Sequence, residues 1–178
     1  METLTLKCHG DTPARTVSGI EAAIIGLTSH WLRLRWRIAG AGQLVAPPFA
    51  GKHRADGLWQ TTCFELFVVR EGGYCEFNLS PSEAWAAYDF TGYREGMANR
   101  PMPRDPVCTM RRGGGMAIFD AELPLAGLPP LPWRFGLSAV IEEEGGNKSY
   151  WALAHPAGKP DFHDPTCFAA TLAPPQRP

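Results

Sequence analysis

The residues with the clearest chemical potential are Glu65, Glu76 and Asn78, in the stretch 58–97, LWQTTCFELFVVREGGYCEFNLSPSEAWAAYDFTGYREGM. They sit among bulky apolar neighbours. A carboxylate in such company is costly unless it is paired or hydrogen-bonded. Glu65 can meet that requirement by accepting from a ligand or by pairing with an arginine of the run Arg33, Arg35 and Arg37. Those arginines equally suit an ordinary solvent face, the commoner arrangement. Two carboxyl groups can also act as acid and base on a glycosidic bond, but that chemistry depends on their separation, which a sequence does not contain. Asp161, His163 and Asp164 bring two carboxylates around one imidazole, and Cys167 follows. Calcium wants more oxygen donors than this run supplies, and the spacing matches no zinc pattern. A turn held by aspartate side chains is the favoured reading there. No Ser or Cys stands in a nucleophile context such as G-x-S-x-G. Gly113, Gly114 and Gly115 lack the Lys-Ser/Thr and following helix of a phosphate loop, and read as a turn.

The elements that must position these residues are strands. Trp59 to Val69 splits by parity, with Trp59, Cys63, Glu65, Phe67 and Val69 on one side and Phe64, Leu66 and Val68 on the other, as in a strand. A Glu71-Gly72-Gly73 turn follows, and the return strand puts Tyr74, Glu76, Asn78 and Ser80 opposite Cys75, Phe77 and Leu79. Cross-strand neighbours of this kind can build the floor of a polar cleft. The clearest period-two segment is 30–39, with Leu32, Leu34, Trp36 and Ile38 on one face. Ser80 and Glu83 have capping-box spacing, which suggests a helix start. The alternation of Trp85, Ala87 and Asp89 with Ala86, Tyr88 and Phe90, ended by Gly92, argues for a strand instead. Two more hairpins are expected, one around the glycine triplet and one joining 134–141 to 150–155, with a closing strand over 166–172. Many short strands and no long helix predict a single-domain antiparallel β-sandwich over 1–173, with a flexible proline-rich tail at 174–178.

Composition narrows the function. The 178 residues carry a net charge of −1, which gives no footprint for nucleic acid or an anionic membrane. No apolar run approaches the roughly 20 residues of a membrane helix. With no secretory signal visible and five scattered cysteines, a cytoplasmic protein with reduced thiols is expected. Oligomeric state is not readable.

The segments LWQTTCFELFV, YCEFNLSPSEAWAAYDFTGYREGM and YWALAHPAGKPDFHDPTCF together resemble bacterial DOMON-like proteins, β-sandwich domains related to family 9 carbohydrate-binding modules. Relatives of that group bind sugars or haem in a cleft on one sheet face. The resemblance implies a non-catalytic carbohydrate-binding domain. Trp59 and Glu65, six positions on, match a Trp and an acidic residue of the sugar site, and Trp151 after Asn147 is the counterpart of a second aromatic wall. Glu76 and Asn78 would extend the floor. Two alternatives accompany this reading: a glycoside hydrolase using Glu65 and Glu76, and a haem domain with Met97 and His163 as axial ligands. A floor carrying Glu65, Glu76 and Asn78 suits hydroxyl groups better than a porphyrin, and no C-x-x-C-H is present. The expectation is therefore a colourless protein with neither haem nor calcium.

Overall fold

A computed structural model describes residues 2–174; the last four residues of the expected tail lie outside the described residues. The described residues fold into twelve strands, β1 (Thr3–Cys8), β2 (Gly19–Leu27), β3 (Trp31–Ala39), β4 (Cys63–Arg70), β5 (Gly73–Leu79), β6 (Trp85–Phe90), β7 (Ala98–Asn99), β8 (Val107–Gly113), β9 (Met116–Pro124), β10 (Trp133–Glu143), β11 (Asn147–Ala152) and β12 (Ala170–Leu172). All pair antiparallel. The described residues contain no α-helix, and hence no helix long and apolar enough to cross a membrane.

The strands form one curled sheet in the order β7-β6-β5-β4-β10-β11-β1-β2-β3-β9-β8, with β12 beside β10. The first strand makes the corner. Its residues Thr3 to Leu6 pair with β2, while Lys7 and Cys8 pair with β11. The sheet thereby folds back on itself as a sandwich, and two leaves face each other across one core.

Period-two alternation builds that core. Leu32, Leu34, Trp36 and Ile38 of β3 are fully buried, as are Phe64, Leu66 and Val68 of β4 and Phe119 of β9. Phe64 and Phe119 stack with ring centroids 4.2 Å apart, and Trp36 lies 5.4 Å and 5.9 Å from them, which joins the two leaves. Burying side chains of this size stabilises a fold by about 1.5–3 kcal/mol each. On the opposite face of β3, Arg35 forms a bidentate pair with Asp120, which Arg111 also reaches. Arg33 pairs with Glu122. The arginine run is therefore the outer face of the other leaf and supplies no partner for Glu65.

Three local expectations change. Trp59 is not in a strand: residues Leu58–Gln60 form a 3-10 turn, and β4 begins at Cys63. The third hairpin is longer than expected, because Asn147 already pairs with Glu143. The closing strand is shorter, because Pro165–Cys167 is a 3-10 turn capped by the Asp164 side chain. Ala98 and Asn99 add a short strand at the edge, paired with β6. At the glycine triplet, Gly114 and Gly115 both take positive φ (58° and 77°) between the paired Gly113 and Met116. That is a two-residue hairpin turn.

One glycine decides how the outer face of the leaf containing β4 and β10 is covered. A Cβ on Gly136 would stand 2.6 Å from the Cys167 carbonyl oxygen and 3.2 Å from the Phe168 ring. Its absence lets the chain around 167–168 lie directly on β10. Gly136→Ala is expected to lower stability by about 1–3 kcal/mol, the usual cost of overpacking. Thermal melting checks this, and an unchanged midpoint would mean the covering segment is not held there.

Candidate ligand-binding site

The leaf containing β4, β5, β6, β10 and β11 turns its second set of side chains away from the core, and register aligns them into rows. Glu65 lies opposite both Asn78 of β5 and Ser138 of β10. Phe67 lies opposite Glu76, and Glu76 opposite Tyr88. The loop after β11 covers part of this face, packing Phe162, Cys167 and Phe168 onto Phe67, Tyr74 and Phe90. What it leaves uncovered is a cleft of about 990 Å³, with Glu65, Glu76 and Asn78 on the floor. Trp59, Tyr88, Tyr150 and Phe162 supply aromatic walls.

The floor is a hydrogen-bonded set buried from water. Glu65 is 3% exposed, Glu76 6% and Asn78 1%. Ser138 donates to Glu65 Oε2 at 3.3 Å, and Asn78 Nδ2 donates to Glu76 Oε1 at 2.9 Å. Asn78 Oδ1 is buried with no partner among the described residues. Burial raises the pKa of Glu65, and the neighbouring Glu76 raises it further. Burial likewise raises Glu76, against the opposing pull of the Asn78 amide and the Arg94 charge.

His163 closes one side. The Arg94 N–H donates to Tyr74 Oη at 3.2 Å, and Tyr74 Oη lies 2.7 Å from His163 Nδ1. The other ring nitrogen is Nε2. That atom faces Glu76 Oε2 at 3.7 Å. Burial, then the Arg94 charge, lowers the His163 pKa to about 4, so the ring is neutral at ordinary pH.

Comparison with known proteins gives a likeness of structure only. No protein-family model matches the chain, and no curated protein matches it by sequence. A crystal structure from Bacteroides uniformis, described as a candidate carbohydrate-binding protein, superposes with a TM-score of 0.64 at 16% identity. That match covers 97% of this chain and 85% of the other. A family 9 carbohydrate-binding module from Caldicellulosiruptor kristjanssonii, in complex with cellotriose, superposes with a TM-score of 0.57 at 9% identity, over 94% of this chain and 80% of that one. The chain has the fold of a family 9 carbohydrate-binding module.

On this family 9 fold, the residues singled out in the sequence separate into three groups. Glu65, Glu76 and Asn78 meet on the cleft floor, and Trp59 stands at its rim, 51% exposed, on the 3-10 turn before β4. Trp151 and Asn147 do not reach the cleft. Trp151 turns into the core between the leaves, its indole N–H bonded to the Ser149 hydroxyl. The neighbouring Tyr150, of opposite parity, lines the cleft instead. Asn147 is at the hairpin end, donating to the Pro13 carbonyl and to Glu143.

The third group comprises the metal and haem candidates. Asp161 accepts from Tyr93, from Arg94 and from the His163 N–H, and Asp164 accepts from the Thr166 N–H. Both carboxylates thus hold the turn in which they lie. No group of three or more His, Cys, Asp or Glu placed to hold a metal occurs among the described residues. An axial haem pair does not fit these side chains either. His163 has Tyr74 on one ring nitrogen and faces Glu76 with the other, and Met97 stands exposed at the rim.

Tyr88, Arg94 and Tyr150 join the site without having been singled out. Tyr88 bonds Asp56 and lies in register with Glu76. Strand parity at 85–90 was a signal for it. Arg94 comes from a loop, where no periodicity points to a face.

Proposed function

We propose that the protein is a non-catalytic carbohydrate-binding domain and that the cleft over Glu65, Glu76 and Asn78 holds the sugar. The observation that carries this reading is a half-exposed tryptophan beside a buried polar floor with spare hydrogen-bonding capacity. Aromatic faces stack on the C–H faces of sugar rings, and a few fixed polar groups select the hydroxyls. The fold shared with a cellotriose-binding module supports the same ligand class.

Position speaks against hydrolysis. Glu65 and Glu76 rise side by side from one sheet face, on adjacent strands. Glycoside hydrolysis places its two carboxyl groups on either side of the scissile bond. A floor offers both to the same side of a ligand.

Titration with cellotriose and a panel of other neutral oligosaccharides tests the reading, by calorimetry and by tryptophan fluorescence. One-to-one saturable binding with a change in Trp59 emission is expected. If no oligosaccharide in the panel binds, the reading fails, and release of a shorter sugar would replace it with the hydrolase.

A further inference from the structure

The two floor carboxyls share the floor with a single amide, Asn78, and an amide has two unlike ends. Asn78 directs its NH2 to Glu76 Oε1 at 2.9 Å, which leaves Oδ1 buried without a donor. Glu65 is the residue directly opposite Asn78 in register. Side chains so paired across antiparallel strands have Cβ atoms about 4.5–5.5 Å apart. With the NH2 turned to Glu76, the end of the amide left over is the carbonyl, which offers no hydrogen to an ionised carboxylate. A neutral carboxylic acid at Glu65 removes the conflict, because its O–H can donate to Asn78 Oδ1.

The surroundings distinguish the two acids. Glu76 is faced by the Asn78 NH2 and by His163 Nε2. Among the described residues, Glu65 receives only the hydroxyl of Ser138 from β10. Its own strand contributes the Cys63 thiol, whose titration burial pushes well up. Tyr88 of β6 is bound to Asp56 on the far side of the cleft. Arg94 faces both acids from its loop, but its guanidinium is held by Asp161. Lys159 stands exposed at the mouth.

We propose that Glu65, Asn78 and Glu76 form a carboxyl–amide–carboxyl triad that holds one proton on Glu65, and that this proton keeps the cleft floor in its sugar-binding arrangement. With it in place, Glu65 Oε2 still accepts from Ser138, Asn78 is satisfied at both ends, and Glu76 remains an acceptor. Loss of the proton sets two carboxylates side by side and orphans Asn78 Oδ1. The floor then rearranges, and an uncharged polyol loses its seat. Raising the pH therefore releases the ligand. Only this binding consequence rests on the carbohydrate reading.

Carboxyl-carbon NMR on protein labelled in its glutamate side chains tests the proton without any ligand, with Glu65→Gln and Glu76→Gln assigning the signals. At about pH 8 the Glu65 signal is expected at the shift of a neutral acid and the Glu76 signal at that of a carboxylate. Finding Glu65 ionised there, or the proton on Glu76, overturns the triad. Cellotriose is the probe for the second arm. Wild-type affinity should fall at least about tenfold across the interval in which the Glu65 signal titrates, equivalent to about 1.4 kcal/mol. Glu65→Gln, whatever its own affinity, should not vary over that interval. A variant that keeps the wild-type slope overturns the link between proton and ligand. If wild-type protein binds no cellotriose at any pH, the link is overturned for that probe, and the NMR result alone decides the proton.

Discussion

Replacing Glu143 with alanine is expected to lower stability by about 3 kcal/mol, the equivalent of roughly 10 °C in melting temperature for a chain of this size. Glu143 ends β10 and is fully buried. Its carboxylate accepts the backbone N–H of Arg15 at 2.6 Å, of Thr16 at 2.7 Å and of Val17 at 3.1 Å, together with the Thr16 hydroxyl at 2.6 Å. This one side chain pins the segment before β2 onto the β10–β11 hairpin. Burial alone would raise its pKa, but the Thr16 hydroxyl and the three N–H groups overcome that and hold it down to about 2. A folded-state pKa below the unfolded value stabilises the protein above the ordinary carboxyl range. The contribution is lost as pH falls through the folded value. Glu143→Ala should therefore flatten the acid limb of the stability curve as well as lower it. Melts from about pH 6 down to about pH 2 measure both effects. If the difference from wild type is the same at the two ends, the carboxylate is not the stabilising group.

The floor of the cleft has the opposite slope. Glu65 and Glu76 have folded pKa values raised above the ordinary range by burial. Their stabilising contribution is complete below the unfolded carboxyl value and is lost as pH rises through the folded ones. Acid thus weakens the anchor at Glu143, and alkali weakens the cleft. The fold can give way at one end of the pH range in a structural clasp and at the other in the candidate site.

Strand parity made most of this architecture legible. It put Phe64, Leu66 and Val68 on the face opposite Glu65 and Phe67, and both sets lie where parity placed them. Burial was harder to read, because the second face is also covered. Phe67 looks inward to a loop whose aromatic residues, Phe162 and Phe168, come from nearly the other end of the chain. Glu143 gave no signal in a run of three glutamates at a turn. Its partners Arg15, Thr16 and Val17 lie more than a hundred residues away, and only the corner made by β1 brings them together. Trp59 belongs to the cleft by a different route from the one parity suggests. The turn at 58–60 and the two threonines after it interrupt the strand, so its position depends on loop geometry that period-two counting cannot follow.

The two tryptophans matched as a pair of walls should separate cleanly under mutation. Trp59→Ala is expected to lower cellotriose affinity by about 2 kcal/mol, roughly thirtyfold, the scale of losing a central aromatic anchor. It should leave the melting temperature almost unchanged, because half of the side chain is already in solvent and it adds little to the core. Trp151 lies beside it in the resemblance but not in space. Its side chain is 5% exposed, packed in the main core between the leaves, with its N–H spent on Ser149. Trp151→Ala removes a large buried ring and should cost about 3–5 kcal/mol of stability. Trp151→Phe, which retains most of the ring volume, should recover much of that loss and bind cellotriose as wild type does. The difference comes from register. Trp151 pairs with Ala139 and Cys8, and Tyr150 with Val140, so the hairpin turns Tyr150 toward the cleft and Trp151 toward the core. Tyr150→Ala should then weaken binding where Trp151→Phe does not. If Trp151→Phe loses cellotriose while melting normally, or Tyr150→Ala binds undiminished, the second wall of the site is not Tyr150.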